Sequence, residues 1–336
     1  MSKYLSDKLT ILSTILIIMV IYVHSCYQEA EQYSTALFLQ KLTSNICSIA
    51  NCLFFCISGY LFAYSIQQFN DIYFKLQKRL YTLLLPYIFW NIIFVLWYVM
   101  LDIIPGMEQW VNNPDMIGQL LNRSISEILH FLFIKPVAFQ LWFLRDLLIM
   151  MALSPLLWLW AKRNWQSAVI AAFCLTCWNE WLIYFWIGII FAIQKWNIEN
   201  FLHSRWLILG SCFISIGYAI FYALNNSLPQ FLEAIVNFIR LYAVWSIYDV
   251  FAQKRLLASK KPWKYLCGYS FFIYCFHEPA FNVIKKLSIA YLGCTEYTLI
   301  LFYFINPLIM VGVAIIVAKL LQKVFPSGYK ILTGGR

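Results

Sequence analysis

The chain has 336 residues, 62% of them hydrophobic and only 12% charged, with a mean hydropathy of +0.70. About a quarter of the residues in a soluble domain are charged, so this composition excludes a water-soluble globule and leaves a polytopic membrane protein. The net charge of +10 would suggest a nucleic-acid partner in a soluble protein; in a membrane protein it first reports which face the basic residues occupy, and no nucleic acid is expected.

A crossing helix needs about 20 apolar residues. About ten stretches qualify: 9–26, 42–66, 82–101, 141–161, 166–178, 181–194, 206–224, 234–251, 267–284 and 299–321. No polar stretch is long enough for a separate soluble domain, so residues 1–336 read as a single all-α integral-membrane domain. The first stretch, LTILSTILIIMVIYVHSC, is apolar almost throughout and carries His24 near its far end. An ionisable group there is costly and so marks a candidate site; the plainer reading is a histidine bonded to a neighbouring helix or resting at the interface. No small-residue cleavage site follows, so the stretch reads as retained. The fifth and sixth stretches are short, separated by Asn179-Glu180, and fit either a tight hairpin or helices that extend into their flanks.

Placing the N-terminus inside puts Lys3, Lys8, Lys75, Lys78, Arg79, Lys162, Arg163, Lys195, Arg205, the segment Lys254–Lys264, Lys319, Lys323, Lys330 and Arg336 on the inner face. Lys41, Arg123, Lys135, Arg145, Arg240, Lys285 and Lys286 fall outside or within spans. The imbalance predicts that both termini are cytoplasmic. Lys285-Lys286 is discordant, which fits either an outer-interface position or a ninth span that is short or broken at Pro279. In the long outer connection Asp102–Gln140, Ile117–Phe133 spaces its apolar residues helically and reads as an interfacial helix. The basic inner loop Ala252–Lys264 fits lipid headgroups or a phosphorylated ligand.

Most of the ten cysteines sit in apolar runs and read as packing residues, Cys174-Leu-Thr-Cys177 included; Cys26 and Cys294 fall near the outer face, where pairing is chemically open. No metal-ligand cluster is visible. The polar groups inside the spans are more telling. At 1.5 Å per residue, His24 lies roughly 22 Å and His277 roughly 20 Å from the inner face, so both belong to the outer half of the membrane. Glu278 follows His277, Arg145-Asp146 begins the fourth span from outside, and Arg240 lies a few residues into the eighth. Each has a plain explanation: a structural ion pair for Arg145 and Asp146, snorkelling for Arg240, pairing of Glu278 with Lys285 or Lys286. Their shared depth on four spans favours one outward-facing cavity. Histidine serves as a general base near neutral pH, and arginine holds carboxylates, phosphates or a developing oxyanion. Basic inner loops facing a phosphorylated donor, with histidines toward an outer acceptor, give the layout of a transmembrane group transfer.

At these residues the sequence resembles the acyltransferase-3 family, integral-membrane O-acyltransferases of bacterial surface glycans. The matching pieces are Val20–Ser25 (VIYVHS), Phe54–Tyr60 (FFCISGY), Lys78-Arg79 followed by Leu85-Pro86-Tyr87 and Trp90, Leu141–Leu147 (LWFLRDL), and Ser270–Pro279 (SFFIYCFHEP). The resemblance implies about ten transmembrane helices, an acyl-CoA donor entering from the cytoplasm, transfer to a glycan or glycolipid hydroxyl, and a catalytic role for His24. Many members carry an arginine eleven residues before that histidine, thought to help hold CoA; here it is Ser13, with Lys8, Arg79 and the inner basic loops as substitutes.

The expected protein is therefore an O-acetyltransferase of the bacterial inner membrane, with acetyl-CoA as donor and no metal. His24 is the expected base or proton carrier. His277 and Arg145 would position the acceptor or stabilise charge, and Asp146, Glu278, Arg240 and Ser58 would line the substrate path, Ser58 having a plainer reading as a packing serine beside Gly59. Arg79, Lys78 and Lys75 would meet CoA phosphates. The alternatives are a transporter or flippase for a glycan or lipid-linked sugar, and a membrane scaffold without substrate.

Overall fold

The computed structural model describes residues 1–104, 124, 126–127, 130, 134–177, 179–199, 204–253 and 261–335. The Ile117–Phe133 interfacial helix read from the sequence lies almost wholly outside the described residues, as does the middle of the basic loop. The described elements are helices: α1 (Lys3–Val23), α2 (Ser34–Ala63), α3 (Phe69–Arg79), α4 (Leu85–Ile103), α5 (Trp142–Arg163), α6 (Trp165–Cys174), α7 (Leu182–Ile193), α8 (Arg205–Ala223), α9 (Gln230–Gln253), α10 (Lys261–Cys267), α11 (Ser270–Leu292), α12 (Glu296–Val324) and α13 (Pro326–Leu332).

Seven of the described helical runs are long and apolar enough to cross a bilayer: Lys3–Val23, Ser34–Ala63, Phe69–Leu101, Phe139–Arg163, Arg205–Ala223, Gln230–Ala252 and Glu296–Val324. At the other three stretches marked in the sequence lie α6 with 10 residues, α7 with 12 and α11, which is broken. The run Phe69–Leu101 is continuous because a π-helical turn, Leu80–Leu84, joins α3 to α4. That turn precedes Pro86, whose missing N–H interrupts the ladder. Gly334, at φ +65°, packs on the carbonyl of Thr82 there; a Cβ would lie 2.3 Å from that oxygen. Proline also explains α11. The residue before a proline is driven to extended backbone, and Glu278 has φ −104° and ψ 137°, so the helix of the ninth stretch is broken at Pro279.

Several helices start earlier than their apolar stretches. α1 begins at Lys3 with Ser2 as N-cap, its Oγ accepting from the Leu5 amide at 3.0 Å; α2 begins at Ser34. Neither polar flank contains a glycine or proline to stop the helix, so Lys8 lies within α1 rather than in an inner loop.

The chain forms two compact units, Met1–Lys75 with Ala152–Ser270, and Leu76–Met151 with Phe271–Arg336. The first is centred on α2 against α7. A Cβ on Gly59 would lie 2.0 Å from the carbonyl oxygen of Phe185, and one on Gly188 2.1 Å from that of Cys56. The two backbones therefore touch at a glycine on each side, which is how small residues let membrane helices pack. Trp186 Nε1 donates to the carbonyl of Leu157 at 3.0 Å, tying α7 to α5. The second unit has an aromatic core. Trp90 meets Phe272 edge-on at 5.5 Å, Phe272 stacks on Tyr329 at 5.6 Å, and Trp90 Nε1 donates to the carbonyl of Leu332 at 3.0 Å.

Candidate functional site

In the first unit, His24 is the C-cap of α1, with φ −88° and ψ 0°, and its amide donates to the carbonyl of Ile21 at 3.1 Å. These angles lie in the sparsely allowed bridge region common among active-site residues. The turn is held on both sides: buried Ser25 donates to the carbonyl of Tyr22 at 2.9 Å, and Gln40 Oε1 of α2 accepts from the Tyr27 amide at 2.9 Å. The imidazole is half-buried.

Three buried charges of this unit, Lys8, Asp7 and Arg240, have partners within it. Lys8 is fully buried, and its Nζ donates to both Asp249 carboxylate oxygens at 2.8 Å. Tyr4 donates to the same carboxylate, and the Trp245 ring centroid lies 3.8 Å from Nζ. Lys8, a sequence candidate for CoA, is therefore engaged by an acid from α9. Asp7 alongside accepts from Lys264 at 3.0 Å. Arg240 does not snorkel: it is buried, donates to Asn237 Oδ1 at 2.7 Å and to the carbonyl of Asn45, and stands 5.3 Å from the Tyr218 ring. Ser58 is half-buried beside the Gly59 contact. A cavity of about 310 Å³, almost entirely apolar, lies between α1, α2 and α9, lined by Leu9, Leu53, Cys56, Tyr60, Leu241 and Trp245 among others.

Lys75, Lys78 and Arg79 share one face of α3 by their spacing. Lys75 donates to the carbonyls of Leu61 and Phe62 at the end of α2, a helix C-terminal cap. Lys78 is exposed and Arg79 half-buried.

In the second unit the structure brings several candidates into one neighbourhood. Arg145 Nε and Nη2 contact Asp146 Oδ1 at 2.8 and 2.7 Å, and Nη1 donates to the carbonyl of Ile134 at 2.9 Å. The preceding turn, Phe139–Leu141, packs on the break in α11: Phe143 meets Tyr274 edge-on at 5.9 Å, and Tyr274 donates to the carbonyl of Gln140 at 2.5 Å. His277 is fully buried, with Nδ1 2.7 Å from the carbonyl of Tyr274. A carbonyl only accepts, so Nδ1 carries the hydrogen, and in the neutral ring Nε2 is the basic nitrogen. Glu278 accepts from Asn282 Nδ2 at 2.8 Å, and Lys285 stands 5.0 Å from the Phe281 ring.

Two residues of these networks escaped the sequence reading. Asp249 was accessible to it as an acid near the end of an apolar span. Gln140 carries no such signal.

The family model described as an acyltransferase domain, Acyl_transf_3, matches residues 8–319. The chain is 26% identical over 296 residues to the succinoglycan biosynthesis protein ExoH of Rhizobium meliloti (strain 1021), covering 83% of this chain and 77% of that protein. No solved structure matches.

Proposed function

The chain belongs to the acyltransferase-3 family, and from that premise we propose that this multi-pass membrane protein is an O-acetyltransferase of the bacterial inner membrane, with both termini cytoplasmic, taking its acyl group from acetyl-CoA. The acceptor is a hydroxyl of a surface polysaccharide or glycolipid, a class in keeping with the succinoglycan named for its relative. His24 removes the hydroxyl proton, the oxygen attacks the thioester carbonyl, and CoA leaves as the thiol once protonated. His277 and Arg145 hold the acceptor or balance the charge that develops, with Asp146, Glu278, Arg240 and Ser58 along the substrate path. Lys78, Arg79 and Lys75 supply the basic face for CoA phosphates.

The observation that carries this reading is the family match across nearly the whole chain, with His24 set in a braced helix end. The test is mass spectrometry of surface polysaccharide from cells with the gene, without it, and with His24→Ala, beside thioester consumption by purified protein. Acetyl esters should require the gene and His24. Unchanged acetylation without the gene, or no thioester consumption with acceptor present, would overturn the reading.

A further inference from the structure

Pro279 has no amide hydrogen, so the carbonyl four residues earlier, that of Cys275, loses its helical partner. Glu278 leaves helical geometry at the same point. One side chain spans the gap: Gln140 Nε2 donates to the carbonyl of Cys275 at 3.0 Å and to that of Glu278 at 2.6 Å. An amide nitrogen has two hydrogens, one for each carbonyl. The backbone carbonyl of Gln140 in turn accepts from Tyr274 at 2.5 Å. Gln140 is therefore bound to α11 on both sides of His277, and Tyr274, whose carbonyl receives the His277 ring, is one of its anchors. The orientation of the amide follows from these partners, because a flipped group would set its oxygen against two carbonyls. Oε1 is buried and has no hydrogen-bond partner among the described residues, so the two donated bonds alone hold the side chain.

We propose that Gln140 is a positioning residue: it clips the broken helix at Cys275 and Glu278 and thereby fixes the imidazole of His277 for acyl transfer. The inference rests on the proposed function for the word transfer, and on the hydrogen bonds for the clip. A glutamine serving only overall stability would leave the His277 ring alone.

The chain has four histidines, so ring-nitrogen NMR on histidine-labelled protein in lipid nanodiscs can identify His277 by the signal lost in His277→Asn. In Gln140→Met, which keeps the length and removes the donors, the His277 signals should move away from the Nδ1-protonated pattern. The kcat for acetyl-CoA should fall about tenfold to a hundredfold, the scale of a small misplacement of a reacting group, with donor KM unchanged. Added to His277→Asn, Gln140→Met should cause no further loss. Gln140→Asn, which keeps the amide on a shorter stem, gives the same readouts should the Met variant misfold. An unmoved His277 spectrum in a folded variant, or losses that multiply on His277→Asn, would overturn the proposal. Absence of transfer by the wild-type protein would remove the functional reading instead, while the ring-nitrogen spectra still decide the clip.

Discussion

Lys8 of α1 and Asp249 of α9 form a buried ion pair in which Nζ lies 2.8 Å from each carboxylate oxygen. Both side chains are nearly out of reach of solvent, at 0% and 3% exposure. Removing one partner leaves a buried charge with nothing opposite, which costs about 3–5 kcal/mol, whereas replacing both with apolar groups is close to neutral. Lys8→Met should therefore lower the melting temperature in detergent sharply, and Lys8→Met with Asp249→Leu should recover most of the loss. If CoA instead of Asp249 were the principal partner of Lys8, the single variant would melt normally and fail only in donor binding.

The contact between α2 and α7 admits no side chain at Gly59 or Gly188, where a Cβ would fall 2.0 and 2.1 Å from backbone oxygens. Backbone cannot swing aside as a side-chain tip does, so Gly59→Ala and Gly188→Ala should each cost about 1–3 kcal/mol or more. Gly210 and Gly217 on α8 have no atom within 4 Å of an added Cβ, and alanine there should be neutral or stabilise by up to about 1 kcal/mol. Thermal unfolding of the four variants separates the two pairs.

The apolar runs announced the helices, and Pro279 announced the break in α11, because each is a local property of the chain. The apolar stretches do not mark the helix starts where polar residues continue a helix unopposed, as at Lys3–Lys8 and Ser34–Lys41. Partnerships were least legible. Lys8 looked like part of a basic inner face, yet its acid is 241 positions away. Arg240 looked able to reach outward, yet Asn45, 195 positions distant, receives it. Gln140 is an ordinary polar residue until the carbonyl of Cys275, 135 positions on, is set beside it. A lone motif reports the strain it creates, not the group that relieves it.

Arg145 spends three nitrogens on two partners, Asp146 and the carbonyl of Ile134. A lysine offers a point charge in place of that fork. Arg145→Lys should therefore lose nearly as much transfer activity as Arg145→Met. Both should melt lower, because charge-assisted hydrogen bonds contribute about 1.5–3 kcal/mol each. Adding Asp146→Asn to Arg145→Met should restore part of the melting temperature but no activity. Full activity in a folded Arg145→Lys would reduce Arg145 to a simple positive charge.

His24 and His277 occupy opposite kinds of environment, the first half-buried at a helix end and the second fully buried, so their substitutions should separate. His24→Ala should melt like the wild type and lose about 10²–10⁴ in kcat, the usual contribution of a general base. His277→Ala should also melt lower, because it removes a buried ring. Full kcat in a folded His24→Ala would leave His24 as a helix cap.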